Sequence, residues 1–228
     1  MKNYIPNCLS ILNLISGVIG TVLALNGHLV YAAYGIFLGA FFDFWDGCLA
    51  KLLNADSLIG KQLDALADLM TFGMLPASIF YMLASNYGTC PYSAYSALLL
   101  VICSAVRLAK FNVDDSQKDQ FIGLPTPTNA LIIGSLPMIL ERALYPCLVH
   151  ALTQPFTLPL LAIFLSFLLV SRVKFISIKF KDFSFQSNKY RYTLIALCTV
   201  LVALMQVEGF FLGMWIYIFF SLYYTKTN

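Results

Sequence analysis

"FFDFWDGCLAKLLNADSLIGKQLDALADLM" occupies residues 41–70, and in it four acids interrupt two otherwise apolar helical stretches. Asp43 and Asp46 are spaced i, i+3, and Asp64 and Asp68 are spaced i, i+4, so each pair falls on one face of its helix. The short turn at Asn54–Ser57 joins the two helices antiparallel. Both pairs are therefore expected together, one or two turns below a surface.

The rest of the chain makes that surface a membrane surface. Hydrophobic residues are 60% of the 228 and charged residues 11%, against about 45–50% apolar in soluble domains. Apolar runs recur that approach the roughly 20 residues needed to span a bilayer, and the mean hydropathy is +0.79. A soluble globular domain is excluded. Eight spans are predicted, at about 8–26, 31–53, 61–85, 93–111, 128–145, 156–172, 192–207 and 210–225. The expected fold is an all-α integral membrane bundle with short connections and no soluble domain. No cleavable leader is expected, because the first apolar run is interrupted by Asn13 and continues too far.

Charge orients the bundle. With eight spans, 13 of the 14 Lys and Arg residues fall on the side of the termini, and only Arg142 lies opposite. The positive-inside rule then puts both termini in the cytoplasm. Residues 171–192, "SRVKFISIKFKDFSFQSNKYRY", interleave basic and aromatic side chains at that surface. Such a segment suits anionic inner-leaflet headgroups, and equally serves as an ordinary positive-inside loop. Nothing suggests nucleic-acid binding. The six cysteines lack metal spacing, and a Cys90–Cys147 disulfide is the lesser expectation.

Four carboxylates in spans 2 and 3 need a reason to be there. Each costs about 2.5–3.5 kcal/mol at a helix centre in lipid, and no packing role offsets that. They are expected to face a polar cavity and a cation. With oxygen ligands only and no nearby His or Cys, that cation is Mg²⁺, Mn²⁺ or Ca²⁺ rather than Zn²⁺. A transporter also buries acids, but along a path and between repeated halves. Here all four lie within residues 43–68 near one surface, which favours an enzyme holding phosphates.

The stretch resembles the signature of the CDP-alcohol phosphatidyltransferases, DxxDGxxAR, eight residues, then GxxxDxxxD. Asp43, Asp46, Gly47, Ala50, Gly60, Asp64 and Asp68 match it at the same spacing, and Lys51 stands where the family has Arg. Lys keeps the charge but not the planar fork. Other segments resemble the phosphatidylserine synthase branch of that family: "IPNCLSILNLISG" (5–17), "LDALADLMTFGMLPA" (63–77), "RLAKFNV" (107–113), "FIGLPTPTNA" (121–130) and "LLVSRVKF" (168–175).

The resemblance implies a six-helix catalytic core at 1–175, followed at 176–228 by a basic segment and two added helices. It implies transfer of the phosphatidyl group of CDP-diacylglycerol to L-serine in a bacterial inner membrane, by a homodimer. Two divalent ions would be held by Asp43, Asp46, Asp64 and Asp68, with Asp68 as the base. The CDP-binding set is Asn13, Asp46, Gly47, Ala50, Lys51 and Gly60. For serine, Arg107 and Lys110 are one turn apart at the end of span 4, with Ser104 and Asn112 as added polar contacts. The alternatives are another acceptor, glycerol-3-phosphate or inositol phosphate, or the transporter. "GLPTP" is expected as a stiff non-helical turn, because Pro restricts itself and its predecessor.

Overall fold

The computed structural model describes residues 4–53, 55, 57–88, 91–113, 121–175 and 185–227. Cys90, Lys118 and most of the basic stretch between spans 6 and 7 lie outside the described residues, so the disulfide and lipid-surface expectations are not addressed by it.

Helices occupy all eight predicted positions. They are α1 (Tyr4–Leu25), α2 (Leu29–Leu52), α3 (Leu58–Asp68) continuing into α4 (Leu75–Tyr87), α5 (Ala97–Val113), α6 (Thr126–Arg142), α8 (Thr157–Val170), α9 (Phe185–Met205) and α10 (Val207–Thr227). A further short helix, α7 (Pro146–Leu152), precedes α8 and meets it at a 76° bend. Four helical units are long and apolar enough to cross a membrane, five if the bent α7–α8 pair counts as one. The protein is thus an all-α, multi-pass membrane protein. The full count of eight is not reached on length and composition. α6 has 17 residues and α8 only 14, and the apolar parts of α9 and α10 are shorter than 18 among the described residues.

Between α3 and α4 the backbone widens into one π-helical turn, Leu69–Met74, directly after Asp68. Pro76, in the first turn of α4, supplies a cause. Its ring crowds the carbonyl four residues earlier in a regular helix and its nitrogen offers no donor. The widened turn is also the junction of the core. The Thr71 hydroxyl donates to the carbonyl of Asn13 at 2.8 Å, and glycines on both flanking helices make room for the side chain. A Cβ on Gly39 would overlap the Thr71 methyl, and one on Gly17 would meet its hydroxyl oxygen. Small residues at crossings let membrane helices approach closely.

The "GLPTP" segment differs in part from the expected turn. Gly123 has φ +79° and Pro125 stands just before α6, but Thr126 and Pro127 already belong to its first turn. Pro is tolerated there because the first amides of a helix have no intrahelical acceptor. Gly123 also donates to the carbonyl of Val173 at 2.8 Å, and Leu124 to that of Leu168 at 3.0 Å. Beside them β1 (Phe121–Ile122) and β2 (Lys174–Phe175) pair antiparallel, Phe121 opposite Phe175. This short clasp ties the entry of α6 to the exit of α8. A side chain on Gly123 would run into the carbonyl oxygen of Leu169.

α10 seals the far side of the bundle. Phe210 meets Phe37 of α2 at 5.6 Å between ring centroids, and Tyr217 meets Phe175 at 6.1 Å. Glu208, buried, pairs with Arg142 at 3.3 Å. That pair accounts for the only basic residue assigned to the outer side.

Candidate active site

The quoted stretch forms the site it promised. The C-terminal half of α2 carries Asp43 and Asp46, and α3 carries Asp64 and Asp68 beside them. Asp43, Asp64 and Asp68 each bring one carboxylate oxygen within 4.8 Å of the others'. Ser57 caps α3, accepting a hydrogen bond from the Gly60 amide at 2.9 Å. That fixes where the helix starts and so the height of Asp64 and Asp68.

Asp46 stands next to this trio rather than within it. It is buried, and one carboxylate oxygen accepts a 2.7 Å hydrogen bond from the hydroxyl of Ser10 on α1. Asp68 receives a comparable bond, 3.1 Å, from the side-chain amide of Asn13. α1 therefore orients two of the four acids, through residues three apart on one face of a helix.

The donor set fits a divalent cation on the structure's own terms. All ligand atoms are hard oxygens, and one buried Asp64 oxygen and the buried side-chain amide oxygen of Asn13 have no hydrogen-bond partner. Unpaired buried oxygens of this kind cost about 1–3 kcal/mol each unless something positive meets them.

A cavity of about 330 Å³ opens beside the acids. Asp46, Gly47, Ala50, Lys51, Gly60 and Asp64 line it. Gly47 presents nothing but open space to it. Five of the six residues expected to hold CDP thus share one wall. The sixth, Asn13, does not: its amide is turned to Asp68, which makes it a positioning residue for that acid instead of a lining contact. Sequence reasoning passed over Ser10 and Asn7. Ser10 holds Asp46, and both residues line the same cavity. Their signal was the opening segment 5–17, which contains both residues.

The basic residues form a second, larger cavity of about 850 Å³ between α5, the clasp and the end of α8. Arg107 and Lys110 line it, as expected, and Arg172 joins them from after α8. Arg172 had been read only as a positive-inside charge. Ser104 is buried deeper, against Gly73 of the π turn, and Asn112 is exposed and outside this lining. Arg107 links the two regions. It is 7% exposed, lies within electrostatic range of Asp68, and donates to the Thr126 hydroxyl at 3.3 Å.

The model of one family, CDP-alcohol phosphatidyltransferase, matches residues 3–168. The chain belongs to that family. Among its relatives is a Bacillus subtilis CDP-diacylglycerol–serine O-phosphatidyltransferase, 37% identical over 76% of this chain and 90% of the relative. A Helicobacter pylori protein of the same name is 27% identical over 92% of this chain and 87% of its own length. An archaetidylserine synthase from Methanothermobacter thermautotrophicus is 33% identical over 58% of this chain and 56% of its own length. Lys51, which the motif resemblance sets where that family has Arg, lines the cavity beside the acids.

Proposed function

We propose that the protein transfers the phosphatidyl group of CDP-diacylglycerol to the hydroxyl of L-serine, releasing CMP and forming phosphatidylserine. The observation that carries this reading is the convergence of Asp43, Asp64 and Asp68 within 4.8 Å, beside a cavity walled by the small residues of the same motif. Three relatives named for serine as acceptor support the choice of alcohol.

Asp43, Asp46, Asp64 and Asp68 would hold divalent cations, Mg²⁺ or Mn²⁺, two in number. Bound there, such ions supply charge compensation for the pyrophosphate and for the departing CMP oxygen. The donor pyrophosphate lies along Gly47 and Ala50, where no side chain obstructs it, and Lys51 gives it a cationic contact. Asn13 holds the Asp68 carboxylate in orientation. Asp68 takes the proton of the serine hydroxyl as that oxygen bonds to the phosphatidyl phosphorus and the bond from phosphorus to the CMP oxygen breaks. A serine hydroxyl is a poor nucleophile at neutral pH, so a positioned base is required. Arg107 and Lys110, with Arg172, offer the carboxylate of serine a cationic pocket, and the guanidinium of Arg107 can take it bidentately. Ser104 adds a hydroxyl; Asn112 is exposed and is a weaker candidate.

The same reading sets the protein in a bacterial inner membrane with both termini cytoplasmic, eight spans, and the acid cluster at the cytoplasmic side. The lipid donor then reaches it from the inner leaflet, where anionic lipids meet the basic segment. A homodimer is proposed from the family. So is the division into a catalytic core at 1–175 and an added hairpin.

The test is CMP release by the purified protein in detergent with Mg²⁺ or Mn²⁺, comparing L-serine, glycerol-3-phosphate and inositol phosphate. Release with serine alone supports the reading. Release with a phosphorylated alcohol instead overturns the acceptor, and no release with any of them overturns the transferase.

A further inference from the structure

We propose that Asn129, on the buried face of α6, is a recognition residue for the amino-acid acceptor, its carboxamide meeting the two charged ends of a zwitterion inside the bundle. This rests on the transferase reading above. Asn129 has no exposed surface, and neither its amide nitrogen nor its amide oxygen has a hydrogen-bond partner. A carboxamide shut among apolar helices loses its water and gets nothing back unless a ligand meets it.

The helical register says what that ligand is near. Thr126 precedes Asn129 by three residues, so both lie on one face of α6, and Thr126 accepts from Arg107. Ser104 and Arg107 share a face of α5 in the same way. The Ser104 hydroxyl and the Arg107 Nε are also buried without a partner. Gly73 of the π turn backs the patch, since a Cβ there would come within 3.3 Å of the Ser104 Cβ. Two helices thus carry unpaired polar atoms on the faces that meet at the contact between Arg107 and Thr126, and Arg107 lies within electrostatic range of Asp68.

The mix of atoms distinguishes acceptors. A phosphorylated alcohol offers anionic oxygens that Arg107 can use, but it leaves the Asn129 carbonyl oxygen facing negative charge. A zwitterionic amino acid offers an ammonium to that oxygen and a carboxylate to the Asn129 amide and Arg107. A carboxamide, donor and acceptor at once, suits the second and not the first.

The experiment uses the full chain in detergent and the variants Asn129→Leu and Asn129→Asp, with KM measured separately for L-serine and CDP-diacylglycerol. Serinol, which keeps the ammonium, and 3-hydroxypropanoate, which keeps the carboxylate, serve as competitors. Asn129→Leu is expected to raise KM for serine at least about tenfold and leave KM for CDP-diacylglycerol within about twofold. Asn129→Asp, nearly the same shape, is expected to shift competition toward serinol over 3-hydroxypropanoate by about tenfold; it decides the matter if the Leu variant does not fold. An unchanged KM for serine, or equal rises for both substrates, overturns the proposal while serine transfer by the wild type stands. A wild type that ignores serine overturns both.

Discussion

The cavity beside the acids and the cavity lined by the basic residues hold their polar groups in opposite ways. Beside the smaller one, the acids are braced before any ligand arrives: Ser10 bonds Asp46, Asn13 bonds Asp68, and Ser57 caps the helix that carries Asp64 and Asp68. At the larger one, Arg107 has a single side-chain bond among the described residues, to Thr126, while its Nε and, deeper in the bundle, Ser104 and Asn129 have none. On the proposed reading, the first is a rigid frame for charge that is always the same, a pyrophosphate and its cations. On the same reading, the second keeps donors and acceptors in reserve for a small polar molecule that must enter and leave. Preorganisation of the first kind supports the chemical step; unpaired groups of the second kind give selectivity, because a wrong acceptor leaves them unpaired.

That contrast can be broken at its strongest point. Asp68→Asn is expected to lower serine-dependent CMP release by about 10²–10⁴-fold, the range for losing a positioned base, with CDP-diacylglycerol still bound. Retention of activity within tenfold, in a radiometric assay, would move the base elsewhere. Next in size, Asn13→Leu removes the brace of Asp68 and is expected to cost about 10–100-fold, as loss of a ligand's hydrogen-bonding partner does. The loss should appear in kcat and in affinity for Mn²⁺ followed by electron paramagnetic resonance. An effect confined to KM for serine would erase the distinction between the two sides.

On the cationic side, Arg107→Gln is expected to raise KM for serine about tenfold, the lower end of what loss of a charge-assisted bond produces, and to spare KM for CDP-diacylglycerol. A rise in both would mean that Arg107 belongs to the donor frame. The smallest effect is expected from Lys51→Arg. Restoring the planar fork on the cavity wall should lower KM for CDP-diacylglycerol by roughly two- to fivefold, consistent with an exposed ionic contact. A fall in activity would show that the cavity is shaped for Lys.

These two sides were not equally legible in the sequence. The acid cluster was, because its geometry is local: i, i+3 and i, i+4 spacing across a short turn leaves little freedom. So was the wall formed by Gly47, Ala50, Lys51 and Gly60, which follows from the same two helices. The cationic side is assembled from residues at 104–110, 126–129 and 172, and nothing local in any of them announces the others. Arg172 therefore read as a surface charge and Asn129 as part of a loop motif. The clasp of β1 and β2 was hidden for the same reason: a two-residue strand has no periodicity, and its partner lies some fifty residues away. The short α7 was missed because Pro146–Leu152 falls in the predicted connection between spans 5 and 6.

The widened turn after Asp68 has one more consequence. Successive residues of an α-helix advance by about 100° around its axis, and the turn at Leu69–Met74 absorbs a residue that a regular helix has no room for. The half of the helix that carries the acids and the half seated in the core are therefore out of phase by one position. Substitutions within the turn leave that offset in place, and their effects should be graded. Deleting one residue from it would let the helix close regularly with α4 seated and Asp64 and Asp68 still facing Asp43, whereas deleting two would swing the acids away by about 100°. Between the acids and the core, chain length acts as a reading frame.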